Sequence, residues 1–123
     1  MAEQRVQMLF RSATAAAEMV RSGQISSREL TELALARIDA INPSLNAVVE
    51  LRPEAALREA AAADKITARG EAMGPLHGVP ATIKEALQIT GMHSTWGNPG
   101  FRDFVADGDA TVVRRRDGLV PLW

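Results

Sequence analysis

Residues 74–91, GPLHGVPATIKEALQITG, open on a crowd of glycine and proline. Gly74, Pro75, Gly78 and Pro80 restrict or specialise the backbone at four of its first seven positions. The short run VPATIK follows and reads as a strand over 79–84. Pro80 has no N–H to give, which places it at the strand's first residues or on an edge. Alternation puts Val79, Ala81 and Ile83 on one face and Pro80, Thr82 and Lys84 on the other. A lysine at a strand end is usually a surface charge on an apolar stem. Here the backbone before it is fixed, and Val79, Ile83 and Leu87 bracket it. Desolvation disfavours an ammonium, and a neutral amine on a rigid element can serve as a general base. The segment is therefore suited to a catalytic lysine, Lys84.

Outward from this stretch the chain reads as alternating helix and strand. SATAAAEMVRS predicts a helix over 12–22 that stops at Gly23. Ser26-Ser27-Arg28-Glu29 has the S-x-x-E form of a capping box and opens a helix to about Ile41. Leu30, Leu33, Ala34, Ile38 and Ile41 give it a core-facing stripe. Asn42-Pro43 is expected to end it, because the residue before proline avoids the α region. NAVVEL, 46–51, reads as a first strand. Pro53 suits the first position of an alanine-rich helix that ends at Gly70. Its alanines fit close packing or high helix propensity alone, and the sequence does not choose. Residues 91–108 read as ordered loop, and Asp109 as the N-cap of a last helix, ATVVRRR, whose arginines suit the helix dipole. This alternation favours an α/β fold with some parallel pairing. Two strands are too few for a stable sheet, which points to the front part of something larger.

Composition sets the bounds. The 123 residues are 46% apolar and 24% charged, the profile of a globular chain of one domain or a piece of one. The net charge of −1 argues against a general nucleic-acid binder. With no cysteine, thiol nucleophiles, disulfides and cysteine-based zinc sites are excluded. No run approaches the roughly 20 apolar residues of a membrane span, and MAEQRVQMLF lacks the form of a secretory signal. A cytoplasmic setting is the expectation. Dinucleotide, P-loop, nucleophile-elbow and zincin motifs are all missing, so no cofactor is expected. His77 and His93 lack ligand spacing and are expected to make loop hydrogen bonds rather than hold a metal. Capping accounts for Ser26 and Ser27 better than nucleophilic catalysis does.

GPLHGVPATIKEALQITGMHSTWGN resembles the lysine-bearing motif of the amidase signature family. The pattern G-[VI]-P-x-x-[IVL]-K-[DE] falls on Gly78, Val79, Pro80, Ile83, Lys84 and Glu85. A threonine- and glycine-bearing loop follows at Ser94-Thr95-Trp96-Gly97. GQISSRELTELALARIDAINPSLNAVVEL is similar to the family's N-terminal helix and first strand, and DGDATVVRR to the helix after the loop. The likeness covers about residues 10–115, and Thr-Trp-Gly-Asn looks more like general amidases than like the tRNA-dependent amidotransferase subunit.

The resemblance implies a mixed sheet flanked by helices, present here in part, and carboxamide chemistry by a Ser–cis-Ser–Lys triad. Lys84 matches the lysine that takes a proton through a bridging serine, which in turn activates the nucleophilic serine. Both serines belong to a Gly/Ser-rich signature that these 123 residues do not contain. Ser94 matches neither. Thr95 and Trp96 are candidates for a wall of the substrate pocket. The tail over 116–123 diverges, and Gly118 and Pro121 should break the last helix early. A truncated or frame-shifted product carrying the first part of an amidase is the expectation, inactive alone. Its partners would be a small amide substrate and, for a non-catalytic relic or interaction module, a complementing chain that bears the serines.

Overall fold

The computed structural model of the chain describes residues 2–116 and 118–122. Among the described residues, five α-helices and two short strands follow in the order α1 (Ala2–Gln7), α2 (Ala13–Arg21), α3 (Ser27–Leu45), α4 (Pro53–Ala68), β1 (Pro80–Ala81), α5 (Thr111–Arg114) and β2 (Val120–Pro121). The architecture is α/β: two strands pair in parallel, with β1 against α3 and β2 against α4.

The helices begin where their caps say they should. Ser12 accepts from the Ala15 N–H at the start of α2. At α3 the capping box forms in full: Ser26 Oγ accepts from the Glu29 N–H, and the Glu29 carboxylate accepts from the Ser26 N–H, each at 3.0 Å. A second cap comes from α4, where the Asp64 carboxylate accepts from the Ser27 and Arg28 N–H groups at 2.7 and 3.0 Å. Pro53 takes the first turn of α4, and Ala56, Ala60 and Ala63 form a buried stripe along it. The alanines of α4 are thus packing residues, small enough to let its backbone lie close to its neighbours.

Four expectations about elements are corrected. The long helix α3 does not stop at Asn42-Pro43 but runs to Leu45. The proline sits in its final turn and forfeits one backbone bond there. Asn46 closes the helix in the left-handed region with its N–H on the Asn42 carbonyl at 2.7 Å. The segment 46–51 is not a strand. The Asn42 carboxamide takes both backbone groups of Val48, at 2.8 and 2.9 Å, and Val49 is left 66% exposed. The residue after this segment, Arg52, gives its N–H to the carbonyl of Leu122, which follows β2. Asp109 caps nothing: Ala110 is the N-cap residue of α5, and the Asp109 carboxylate instead accepts from the N–H and hydroxyl of Thr90. Finally, the strand expected over 79–84 shrinks to two residues. Val79 and Ile83 then leave their shared face: Val79 joins one core cluster and Ile83 packs on the other.

The tail expected to diverge supplies the partner strand. Val120 N–H bonds the Val79 carbonyl at 2.9 Å and Leu122 N–H bonds the Ala81 carbonyl at 3.0 Å. Val120 and Leu122 are buried. Asp117 and Trp123 of that tail lie outside the described residues. One core cluster joins Val120 and Leu122 to Ala56, Ala60 and Val113. The other joins Val79 to Ala16, Ala17, Val20 and Leu30. The strand pair therefore lies where the two clusters meet, and it carries the lysine segment with it.

Candidate active site

The lysine segment is anchored from behind, at Gly78. The buried Ser27 hydroxyl donates to the Gly78 carbonyl at 2.6 Å, and the Gly78 N–H bonds the Gly118 carbonyl at 2.7 Å. Gly78 has φ +78°, and a β-carbon there would stand 2.9 Å from Val20 Cγ1. Only glycine meets both demands. Ser27 is thus separated in function from its neighbour: Ser26 caps α3, while Ser27 bolts α3 to the backbone that leads to Lys84. A helix-opening serine pair gives no hint of that second bond.

Beyond β1 the chain passes Lys84 and turns, with the Leu87 N–H on the Lys84 carbonyl at 2.9 Å. Lys84 stands on an open groove of about 510 Å³, lined also by Val48, Val49, Glu50, Thr82, Glu85 and His93. Its side chain is exposed. Of the three residues expected to shield it, Val79 is buried in a core cluster, while Ile83 and the 38% exposed Leu87 line the groove with Lys84 and leave it open. Among the described residues the ammonium has no ion pair.

Thr95 and Trp96 are not among the residues lining the groove. They occupy a turn beyond His93, and the link to the groove is Glu85. Its carboxylate accepts from the Thr95 N–H through one oxygen and from the Trp96 N–H, at 2.9 Å, through the other. Burial pushes that carboxyl up, but the bonds donated by Thr95 and Trp96 outweigh it, and the nearby His93 adds to them. The net result lies below the ordinary glutamate range. Trp96 itself is 73% exposed. Ser94 is buried and its hydroxyl donates to the Glu85 carbonyl at 3.1 Å, so it is a structural serine.

His93 pairs with Glu50 on the groove: its N–H donates to Glu50 Oε2 at 3.1 Å, and Nδ1 lies 3.3 Å from Oε1. His77 is buried in the loop before Gly78. Its Nδ1 accepts from the Met73 N–H at 3.2 Å, so Nε2 carries the proton and donates to the Ala63 carbonyl at 3.1 Å. Among the described residues no three metal-ligating side chains converge, and no helix is long and apolar enough to cross a membrane. Sequence reasoning singled out Lys84 and missed the Glu50–His93 pair beside it on the groove, whose two residues come from segments more than thirty residues apart.

The segment over 78–85, fixed at Gly78 and carrying the first strand of the parallel pair, lies within a stretch that known proteins share. The sequence model of the amidase family matches residues 29–122. The chain belongs to the amidase family. It is 42% identical over 123 residues to an acylamidase of Rhodococcus erythropolis, covering all of this chain and 25% of that protein. Over 103 residues it is 48% identical to an indoleacetamide hydrolase of Bradyrhizobium diazoefficiens, covering 84% of this chain and 20% of that one. Among solved structures, a bacterial aryl acylamidase of the amidase signature family superposes with a TM-score of 0.80 at 32% identity, over 91% of this chain and 24% of the other. The chain thus spans about a quarter or less of the length of these relatives.

Proposed function

We propose that Lys84 is the proton-accepting lysine of an amidase that breaks carboxamide C–N bonds by acyl transfer. The observation that carries this reading is the G-V-P-x-x-I-K-E segment itself, held by the Ser27–Gly78 bond so that Lys84 meets a groove, in a chain of the amidase family. In the triad of that family, a neutral lysine amine accepts the proton of a bridging serine hydroxyl. The bridging serine accepts the proton of a second serine, whose oxygen attacks the amide carbon. The C–N bond breaks, the amine leaves with a proton, and water releases the acyl group. The two serines come from the three quarters of the family fold that these residues do not include, on the same polypeptide or on another.

The exposure of Lys84 supports this division of labour. An amine used as a base needs a drier surrounding than this surface gives it, and the serine-bearing part is what would close over the groove. Thr95 and Trp96 would then add a wall on its far side. The 123 residues alone are inactive in this reading. The second reading, an interaction module with no chemistry of its own, draws on the same exposure.

The test is an amide hydrolysis assay on benzamide and propionamide. The chain is assayed alone and mixed with a polypeptide covering the rest of the family fold. Turnover is expected on mixing alone, and Lys84→Ala in the mixture should cost about 10²- to 10⁴-fold, the usual worth of a general base. Mixtures that turn over equally well with Lys84→Ala overturn the reading, and complexes that form without turnover favour the interaction module.

A further inference from the structure

Lys84 has a task in this reading, and the residue after it has none. Yet Glu85 makes the denser set of contacts. Its carboxylate accepts two consecutive backbone N–H groups, those of Thr95 and Trp96, and its backbone carbonyl accepts from the Ser94 hydroxyl. Three bonds from one residue thus hold three consecutive residues of a turn ten positions further on. The turn needs holding. Trp96 and Gly97 both lie in the left-handed region, at φ +56° and +68°, and a tryptophan there is strained. Its own internal bonds are few: Gly97 N–H to Thr95 Oγ1 at 3.2 Å and Asn98 N–H to the Thr95 carbonyl at 2.9 Å.

We propose that Glu85 is a positioning residue, whose ionised carboxylate pins the 94–97 turn, which follows the groove residue His93, to the lysine segment. What the pinned turn serves rests on the amidase reading, while the pinning stands on the contacts alone. Charge is required by the geometry. Two N–H donors converge on two acceptor oxygens, an arrangement that favours an anion. A carboxamide of the same shape offers one acceptor and turns an NH₂ toward the other N–H. Protonation of the acid has a similar effect. The titratable groups that share the groove with it are Lys84 on its own segment, His93 across from it, and Glu50, which pairs with His93. Of these, the nearby His93 favours the ionised form.

The experiment follows backbone amides by NMR in the isotopically labelled chain and in Glu85→Gln and Glu85→Asp. In the starting protein the amide proton shifts of Thr95 and Trp96 should move together through one transition below the ordinary glutamate value of about 4.3. With Glu85→Gln that transition should vanish and both amides should exchange at least about tenfold faster, the ratio expected for losing a charge-assisted bond. The Leu30 amide in α3 should keep its protection and so report that the variant is folded. Glu85→Asp, which keeps the charge, should restore the transition. Thr95 and Trp96 amides that follow no carboxylate transition overturn the proposal, and the unaltered chain decides that point even if a variant fails to fold. So does protection unchanged in Glu85→Gln. Neither readout involves turnover, so an inactive Lys84 leaves this outcome untouched.

Discussion

Gly78 is the position on which the placement of the lysine depends, and two neighbouring atoms explain why. Its φ of +78° is open to glycine at no steric cost, and Val20 Cγ1 and Ser27 Cβ fill the space a side chain would need. Gly78→Ala should therefore destabilise the chain by more than about 1 kcal/mol, since the strain and the clash add. Ser27→Ala should cost about 1–3 kcal/mol, because it leaves the buried Gly78 carbonyl without its hydroxyl partner. Urea midpoints with an unchanged slope would measure both. A Ser27→Ala midpoint equal to that of the unaltered chain would show that the 2.6 Å bond contributes nothing. The segment around Lys84 stands out in the sequence, because glycines and prolines at fixed offsets are local signals. The surroundings of Lys84 do not. Whether Val79, Ile83 and Leu87 shield it depends on where each one lies, and that is settled by packing between distant segments.

At the scale of elements the three long helices were largely legible, while α1, the extent of α5 and the strand pairing were not. Caps and stripes are written within a few residues, so α2, the start of α3, and α4 follow from sequence alone. Strands need partners. The valines of 46–51 have strand propensity, but Asn42 captures the Val48 backbone, and propensity loses. Residues 120–121 include a proline and have no alternating pattern, yet they become β2 because the Val79 and Ala81 carbonyls are there to accept from Val120 and Leu122. Nothing in a local window reports a parallel partner some forty residues away. The same is true of Asp64, an ordinary polar position of α4 by sequence, which reaches across to cap α3. Asp64→Ala should cost about 1–2 kcal/mol, the worth of an N-cap that also meets the positive end of the helix. Asp64→Asn should cost less, since its carboxamide oxygen still accepts one of the two N–H groups. Thermal melts of the pair would separate the capping bonds from the charge, and equal losses in both variants would assign the effect to charge.

Over the whole molecule the carboxylates set the response to acid. Glu29, Glu85 and Asp109 are all held below their ordinary range. For Glu29 the bonds from Ser26 do this, with Arg5 assisting and burial opposing. For Glu85 burial opposes most strongly, and the bonds from Thr95 and Trp96 outweigh it. For Asp109 the bonds from Thr90 lead, and Arg116 and Arg114 add to them against burial. A carboxyl whose folded value is depressed binds its proton more readily in the unfolded chain, so acid favours unfolding. The stability each contributes is present in full above its unfolded value, about 4 for these side chains, and is lost as the pH falls through the lower folded value. The three groups tie together separate parts of the fold: α1 to the start of α3, the lysine segment to the 94–97 turn, and Thr90 to the approach to α5. Their loss should therefore register as one global decline rather than the fraying of one end. Urea midpoints should hold level from pH 7 to about pH 5 and then drop steeply below about pH 4. In a chain carrying Glu85→Gln and Asp109→Asn the neutral midpoint should be lower and the acid limb shallower, because two of the three groups no longer titrate. A midpoint that stays level or rises on acidification would mean that these carboxylates are no better bonded in the folded chain than in the unfolded one.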